Sequence, residues 1–108
     1  MSKKQEIRRN FKEDTFDRDG YCCKFCGAGP VYEMTDSVFD AHHITDRNEM
    51  PNGGYVKDNG IPLCSEHHKL AEKYHESGGK TWVDGFHPDE LYRKIGSSKE
   101  ILILKSKI

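Results

Sequence analysis

The stretch CSEHH at residues 64–68 decides the fold, because it sets several metal-binding side chains at close spacing. Two residues separate Cys64 from His67. A second pair with the same spacing, Cys23 and Cys26, lies upstream, with 37 residues between Cys26 and Cys64. Tetrahedral zinc takes thiolate and imidazole ligands, and this spacing lets both side chains of a tight turn reach one ion about 2.0 to 2.3 Å away. The two pairs together predict one structural zinc site.

Cys22 is the alternative to Cys23 as a zinc ligand. The two-residue spacing to Cys26 and the following Gly27 favour Cys23, which leaves Cys22 as a spare thiol. The competing interpretation is that the cysteines are buried apolar residues without a metal. Four cysteines beside six histidines favour metal binding over disulfides. Because the N-terminus has no signal-like apolar segment, we also expect an intracellular location.

The helix that follows Cys64 is predicted to serve a second site. Ser65 can cap a helix that runs through His75 to the breaking residues Ser77-Gly78-Gly79. On such a helix His68 is turned about 100° from His67 and shares its face with Glu72 and His75. His68 is therefore a candidate ligand of another metal. A solvated helix face accounts better for both Glu72 and His75, and of these two only Glu72 is kept as a weaker candidate ligand.

Two short strands are expected before this helix, over residues 37–44 and 61–63, and the proline of the second places it at an edge or a strand end. Because side chains alternate across a strand, His42 and His43 should project to opposite sides and have different functions. Asn59 can hydrogen-bond the backbone with both ends of its amide, and a plain turn is the alternative.

Composition limits the classes of function. The chain has 108 residues, of which 34% are apolar and 32% charged, so it buries a small core and needs a staple such as a metal. Its net charge of −1 does not favour nucleic-acid binding, since a basic surface supplies most of the nonspecific affinity. The longest apolar run, residues 101–104, is too short to cross a membrane.

Basic residues are concentrated in a predicted N-terminal helix at about residues 3–17, namely Lys3, Lys4, Arg8, Arg9 and Lys12. Apolar residues recur there at a loosely helical spacing, namely Ile7, Phe11 and Phe16. Two interpretations stay open: a solvated helix that packs its aromatic side chains on the core, and a helix that contacts phosphates.

These motifs together resemble the zinc-containing HNH endonucleases over about residues 18–75. The resemblance is carried by the order and spacing of five features, which are Cys23-x2-Cys26-Gly27, Asp40-Ala41-His42-His43-Ile44, Asn59 five residues before Cys64, the nine residues from Asn59 to His68, and Cys64-x2-His67-His68. It implies a small α+β fold, the ββα-metal finger of the His-Me nucleases, and hydrolysis of DNA phosphodiesters.

The resemblance also implies functions for individual residues. His43 corresponds to the general base, His42 and His68 to catalytic-metal ligands, and Asn59 to the residue that braces the loop behind the base. Many relatives have aspartate at the position of His42 and a fourth cysteine at the position of His67. Histidine instead of aspartate at position 42 affects which catalytic metal is expected. Histidine instead of cysteine at position 67 makes His67 the fourth expected zinc ligand.

The same chemistry follows from the side chains themselves. A neutral imidazole, with an unperturbed pKa near 6.5, can take a proton from the water that attacks a phosphodiester, which suits His43. A divalent ion on His42 and His68, with Glu72 as a weaker candidate, can stabilise the charge that develops on the phosphate. Imidazole ligands suit manganese, nickel or zinc better than magnesium, so the catalytic metal stays open among these four.

The expected organisation is a nuclease domain over residues 1–79 and a C-terminal extension over 80–108 of unassigned function. The domain comprises the basic helix, a zinc knuckle at 21–27 and a ββα core at about 37–76, and the extension contains a helix around 88–95 and an apolar tail. The expected partner is DNA or RNA, with no membrane. Two alternatives remain: a noncatalytic zinc module that binds nucleic acid or protein, and a nuclease that acts inside a larger phage packaging or restriction assembly.

Overall fold

The computed structural model describes residues 2–29 and 39–106, which form a small α+β fold. Its elements in chain order are helix α1 (Lys3–Arg18), strands β1 (Phe39–His43) and β2 (Gly60–Cys64), and helices α2 (Ser65–Glu76), α3 (Pro88–Lys94) and α4 (Lys99–Ser106). Short 3-10 turns occupy the connection between the strands, at Arg47–Glu49, Pro51–Gly54 and Lys57–Asn59. The predicted α+β class is confirmed. In the described part of the chain, no helix is both long and apolar enough to traverse a bilayer.

The two strands pair antiparallel, from Phe39 opposite Cys64 to His43 opposite Gly60. The first two residues of the predicted strand, 37 and 38, lie outside the described residues. A Cβ atom at Gly60 would lie 2.3 Å from Thr15 Oγ1 and 2.9 Å from the ring of Phe11. Glycine at this position therefore lets α1 pack directly on the sheet.

Helix α1 begins with a capping box. The Ser2 hydroxyl accepts from the Gln5 backbone N–H at 3.2 Å, and the Gln5 side chain accepts from the Ser2 backbone N–H at 3.0 Å. The aromatic residues Phe11 and Phe16 are buried against the sheet, as one of the two interpretations requires. Ile7 is 40% exposed, so the predicted apolar face does not extend to it.

Helix α2 follows β2 without a loop, which corrects one detail of the prediction. Cys64, whose backbone is extended, occupies the N-cap position, and Ser65 is the first helical residue rather than the cap. The strand continues to Cys64, so the helix begins immediately after it. Positive φ angles of 66° at Gly78 and 84° at Gly79 follow the helix, and glycine tolerates these without strain.

The C-terminal extension packs into the main core. Phe86, Leu91, Tyr92 and Leu102 are buried in one cluster with residues of the strands and α2, including Ile44, Ile61, Leu63 and Ala71. The segment expected to be an apolar tail forms α4, which contacts the turns between the strands. The described extension therefore shares one hydrophobic core with the two strands and α2.

Replacing Leu102 by alanine is expected to lower the free energy of unfolding by about 2–5 kcal/mol, because the fully buried side chain leaves a cavity in the shared core. The matched control is Leu104→Ala two residues further on, where the side chain is 69% exposed and the expected change is below about 0.5 kcal/mol. Urea denaturation of both variants measures the difference. Equal stabilities would show that α4 does not contribute to the core.

Candidate functional site

The first cluster consists of the four predicted zinc ligands. Their ligand atoms all lie within 4.8 Å of one another. Cys23 Sγ is 3.8 Å from His67 Nδ1, Cys26 Sγ is 3.9 Å from Cys64 Sγ, and Cys64 Sγ is 3.1 Å from His67 Nδ1. Two thiolates on a tetrahedral zinc ion are separated by about 3.8 Å, given Zn–S bonds of about 2.3 Å. The donor set and its spacing therefore fit one zinc ion.

The knuckle is shaped by the backbone around the first cysteine pair. The Gly27 N–H donates to the Cys23 carbonyl at 2.9 Å, and Gly27 has a φ of 71°, which favours glycine. The Lys24 N–H donates to the Pro62 carbonyl at 2.9 Å and so joins the knuckle to β2. Cys22 lies outside the cluster, with its Sγ 3.4 Å from the Gly20 carbonyl oxygen.

The thiols of this cluster differ in acidity. Burial raises the pKa of Cys23, but backbone N–H groups of Cys26, Cys64 and Phe25 outweigh it and bring the pKa below its ordinary value. Burial raises the pKa of Cys64, and the neighbouring thiols add to this. All four cysteines are free of disulfides. Cys23 is therefore the thiol best prepared to enter as a thiolate ligand.

The second cluster consists of His42, His68 and Glu72, which also lie within 4.8 Å of one another. Glu72 Oε1 is 3.0 Å from His42 Nδ1 and 3.1 Å from His68 Nε2. Two imidazole nitrogens and one carboxylate oxygen are a donor set that divalent transition metals accept. The helix spacing thus brings Glu72 to the predicted ligand pair.

Burial and hydrogen bonding act differently on the two histidines. His42 is 1% exposed, and this burial lowers its pKa although Glu72 opposes the shift. The hydrogen bond to Glu72 raises the pKa of His68, which is less buried. Hydrogen bonds from both histidines hold the pKa of Glu72 far below its usual range. The carboxylate is therefore ionised and His42 neutral, as metal ligation requires.

His43 projects to the other side of β1, as the alternation along the strand predicted. Its ring stacks on Phe11 with centroids 4.4 Å apart and meets Tyr55 edge-on at 4.9 Å. Burial, followed by the charges of His42 and Arg47, lowers its pKa to about 4, so the ring is neutral at physiological pH. Its Nε2 is buried and has no hydrogen-bond partner among the described residues. Nε2 is therefore closed to solvent in this arrangement, which leaves Nδ1 as the candidate nitrogen for contact with water.

Asn59 is fully buried and uses both ends of its amide. Oδ1 accepts from the Thr45 N–H at 2.8 Å and from the Tyr92 hydroxyl at 3.1 Å. Nδ2 donates to the carbonyls of Thr45 at 3.0 Å and Gly54 at 3.2 Å. Burial raises the pKa of Tyr92 to about 12, so its hydroxyl keeps its proton. Asn59 thus ties the segment after His43 to the loop before β2.

The Asn59→Ala variant is expected to lose about 3 kcal/mol of unfolding free energy, since buried groups of Thr45 and Gly54 lose their partners. Asn48→Ala, an exposed asparagine in the same connection, is the matched control and should change stability by less than about 0.5 kcal/mol. Chemical denaturation checks both values. A loss as small as that of the control would mean that Asn59 occupies an ordinary turn.

One cavity of about 330 Å³ borders both His43 and the second cluster. Its wall includes His43, Asp46, Arg47, Glu72 and His75. Among the members of the second cluster, Glu72 contributes to this wall together with His43. Such an arrangement can combine a neutral base with a metal site on one substrate.

Sequence reasoning assigned no function to three residues that the structure places here. His75 Nε2 lies 2.9 Å from the His43 carbonyl oxygen, and its ring stacks on His42 with centroids 5.2 Å apart. The signal for His75 was present in its position seven residues after His68 on one helix face. Arg47 lies in a 3-10 turn and Tyr92 in α3, and the spacing of neighbouring residues in the sequence does not predict that either side chain reaches this region.

Two antiparallel strands followed by a helix, with a Cys/His cluster on one side and a His/Glu cluster on the other, define a metal-binding ββα module. A family model described as HNH endonuclease matches residues 23–75, in agreement with the resemblance found in the sequence. No curated protein and no solved structure shows significant similarity to the chain.

Proposed function

We propose that this protein is a metal-dependent endonuclease that hydrolyses phosphodiester bonds of DNA. The match of residues 23–75 to the HNH endonuclease family model supports nuclease-type activity in general. The observation that carries the finer proposal is the shared cavity, which brings His43 and Glu72 to one substrate-sized space. A base and a metal site on the same cavity are what phosphodiester hydrolysis needs.

The Cys/His cluster is proposed to hold a structural zinc ion. Its four protein ligands, Cys23, Cys26, Cys64 and His67, complete a tetrahedral set. They join the knuckle, the end of β2 and the start of α2, which the small core alone would hold together weakly. Zinc at this position fixes the helix that carries His68 and Glu72.

His42, His68 and Glu72 are proposed to hold the catalytic divalent metal. When bound, such a cation supplies positive charge that stabilises the phosphate as negative charge develops on it. The set contains two nitrogens and one oxygen, which favours manganese, nickel or zinc, while the carboxylate also admits magnesium. The hydrogen bonds that these side chains make to one another keep the three ligand atoms converged.

His43 is proposed to take the proton from the attacking water at Nδ1. Stacking on Phe11 and edge contact with Tyr55 fix the plane of the ring. Asn59 holds the backbone two residues after His43, so the end of β1 keeps its orientation. These contacts preorganise the base before substrate arrives.

The proposal is tested by incubating supercoiled plasmid DNA with the zinc-loaded chain, first without free divalent metal and then with added magnesium, manganese or nickel. We expect conversion to nicked or linear DNA only after metal addition. No cleavage by folded, zinc-loaded protein with any of these metals would contradict the proposal. That result would favour a noncatalytic binding module or a nuclease active only within a larger assembly.

A further inference from the structure

Two arginines from distant parts of the sequence converge beside His43. Arg8 lies on α1 and Arg47 opens the first turn after β1, yet both line one cavity of about 430 Å³ together with Tyr55 and His43. Arg47 Nη1 donates to the Tyr55 hydroxyl at 3.5 Å. Burial raises the pKa of Tyr55, but hydrogen bonds from Arg47 and Arg8 outweigh it and lower the pKa. Two guanidinium groups therefore approach the same hydroxyl.

Neither of these two arginines is engaged in a short ion pair among the described residues, although the carboxylate of Asp46 acts on Arg47 from the adjacent position. Other basic side chains near the cavity have acidic partners, since Arg9 pairs with Glu13 and Lys12 with Asp40, both at 3.9 Å. Neither Arg8 nor Arg47 has a carboxylate partner within residues 2–29 and 39–106. The partner that the two guanidinium groups share is a hydroxyl and not a carboxylate, so both can still bind an anion.

The position of the pair indicates which anion it receives. His43 and Arg47 belong to the walls of both this cavity and the cavity that contains Glu72, so the two cavities are neighbours. A strand that places one phosphate beside His43 and Glu72 extends its neighbouring phosphate toward Arg8 and Arg47. Guanidinium groups bind phosphate oxygens through paired charged hydrogen bonds.

We propose that Arg8 and Arg47 form a clamp that binds a backbone phosphate of DNA next to the cleaved one. The location relative to cleavage rests on the proposed function, whereas phosphate binding does not. Phosphate contacts fix the position of a protein on DNA without reading its sequence. The clamp would give a chain of net charge −1 a local positive site for DNA.

The test measures binding of a fluorescently labelled DNA duplex by anisotropy over a range of KCl concentrations, in a His43→Ala background that prevents cleavage. The double variant R8Q/R47Q is compared with R93Q/K99Q, which removes the same charge from exposed residues outside both cavities. Circular dichroism and zinc content establish that both double variants fold.

For R8Q/R47Q we expect the dissociation constant to rise about tenfold or more, because two charge-assisted contacts are lost. The slope of log affinity against log salt should fall by about 2. R93Q/K99Q should change the dissociation constant less than about twofold, since its residues do not touch the bound strand. Equal effects of the two double variants would overturn the clamp, as would parent protein that does not bind DNA.

Cleavage separates the clamp from the proposed function. With His43 restored, R8Q/R47Q should raise KM for cleavage more than it lowers kcat, because uniform binding is lost. Binding that depends on the two arginines in a protein that never cuts would support the clamp and contradict the nuclease. If R8Q/R47Q cleaves DNA normally with an unchanged KM, the proposed nuclease function stands and the proposed clamp is wrong.

Discussion

Substituting His43 with alanine is expected to lower kcat for DNA cleavage by a factor of about 10² to 10⁴, the usual contribution of a positioned general base. The ring is neutral at physiological pH, so its loss would remove the proton acceptor proposed for the attacking water. The metal ligands on the other face of β1 stay in place. Gel analysis of plasmid cleavage, with the variant and parent purified in parallel, measures the change and excludes a contaminating nuclease.

The control for this substitution concerns folding, since the His43 ring packs on Phe11. His43→Gln fills more of the space and lacks a comparable base, so it should lose activity as His43→Ala does. Thermal unfolding and zinc content should match the parent in at least one of the two variants. Cleavage at the parent rate in a folded variant would show that another group takes the proton.

Loss of zinc is expected to be the largest structural effect. In the Cys26→Ala variant one of four ligands is removed, and the chain should lose its zinc and unfold. Structural zinc contributes roughly 10–16 kcal/mol of apparent binding free energy in small zinc domains, against a net stability of about 5–15 kcal/mol for a native protein. Metal analysis and circular dichroism check the result.

The sequence supplies a matched control for this variant. Cys22 lies outside the cluster, so Cys22→Ala should retain one zinc per chain and a folded spectrum. Cys26 is exposed, which means that lost packing cannot account for unfolding of Cys26→Ala. If the two variants behave alike, the four-ligand zinc site is wrong.

Spacing in the sequence was sufficient to predict the proximity of ligands that are close together in the chain. The two residues between Cys23 and Cys26, and the three between His68 and Glu72 on one helix, fix the proximity of each pair through local geometry. The alternation of His42 and His43 followed from the period of a strand. The meeting of the two cysteine-containing pairs, and of His42 with His68 and Glu72, depends on the tertiary fold, and the sequence indicated it only through the resemblance to the HNH endonucleases.

Contacts between distant segments could not be predicted in this way. Arg8 and Arg47 reach the same residue, Tyr55, only because α1 packs on the sheet. Tyr92 likewise reaches Asn59 only because α3 packs against the core. Ile7 was expected on the buried face of α1, but the sheet beneath the helix covers only the residues from Phe11 onward. Each of these three features depends on how helices and strands pack together, and the spacing of residues within one element does not predict that packing.

The Tyr92 hydroxyl limits how far the nuclease-like unit can be transplanted. The family segment ends at residue 75, yet the group that completes the buried network of Asn59 comes from α3. A chimera that grafts residues 23–75 into another scaffold would inherit both metal clusters but leave Asn59 Oδ1 with one partner fewer. The portable module of this protein is therefore longer than its family signature, and a graft must carry Tyr92 or a hydroxyl in its place.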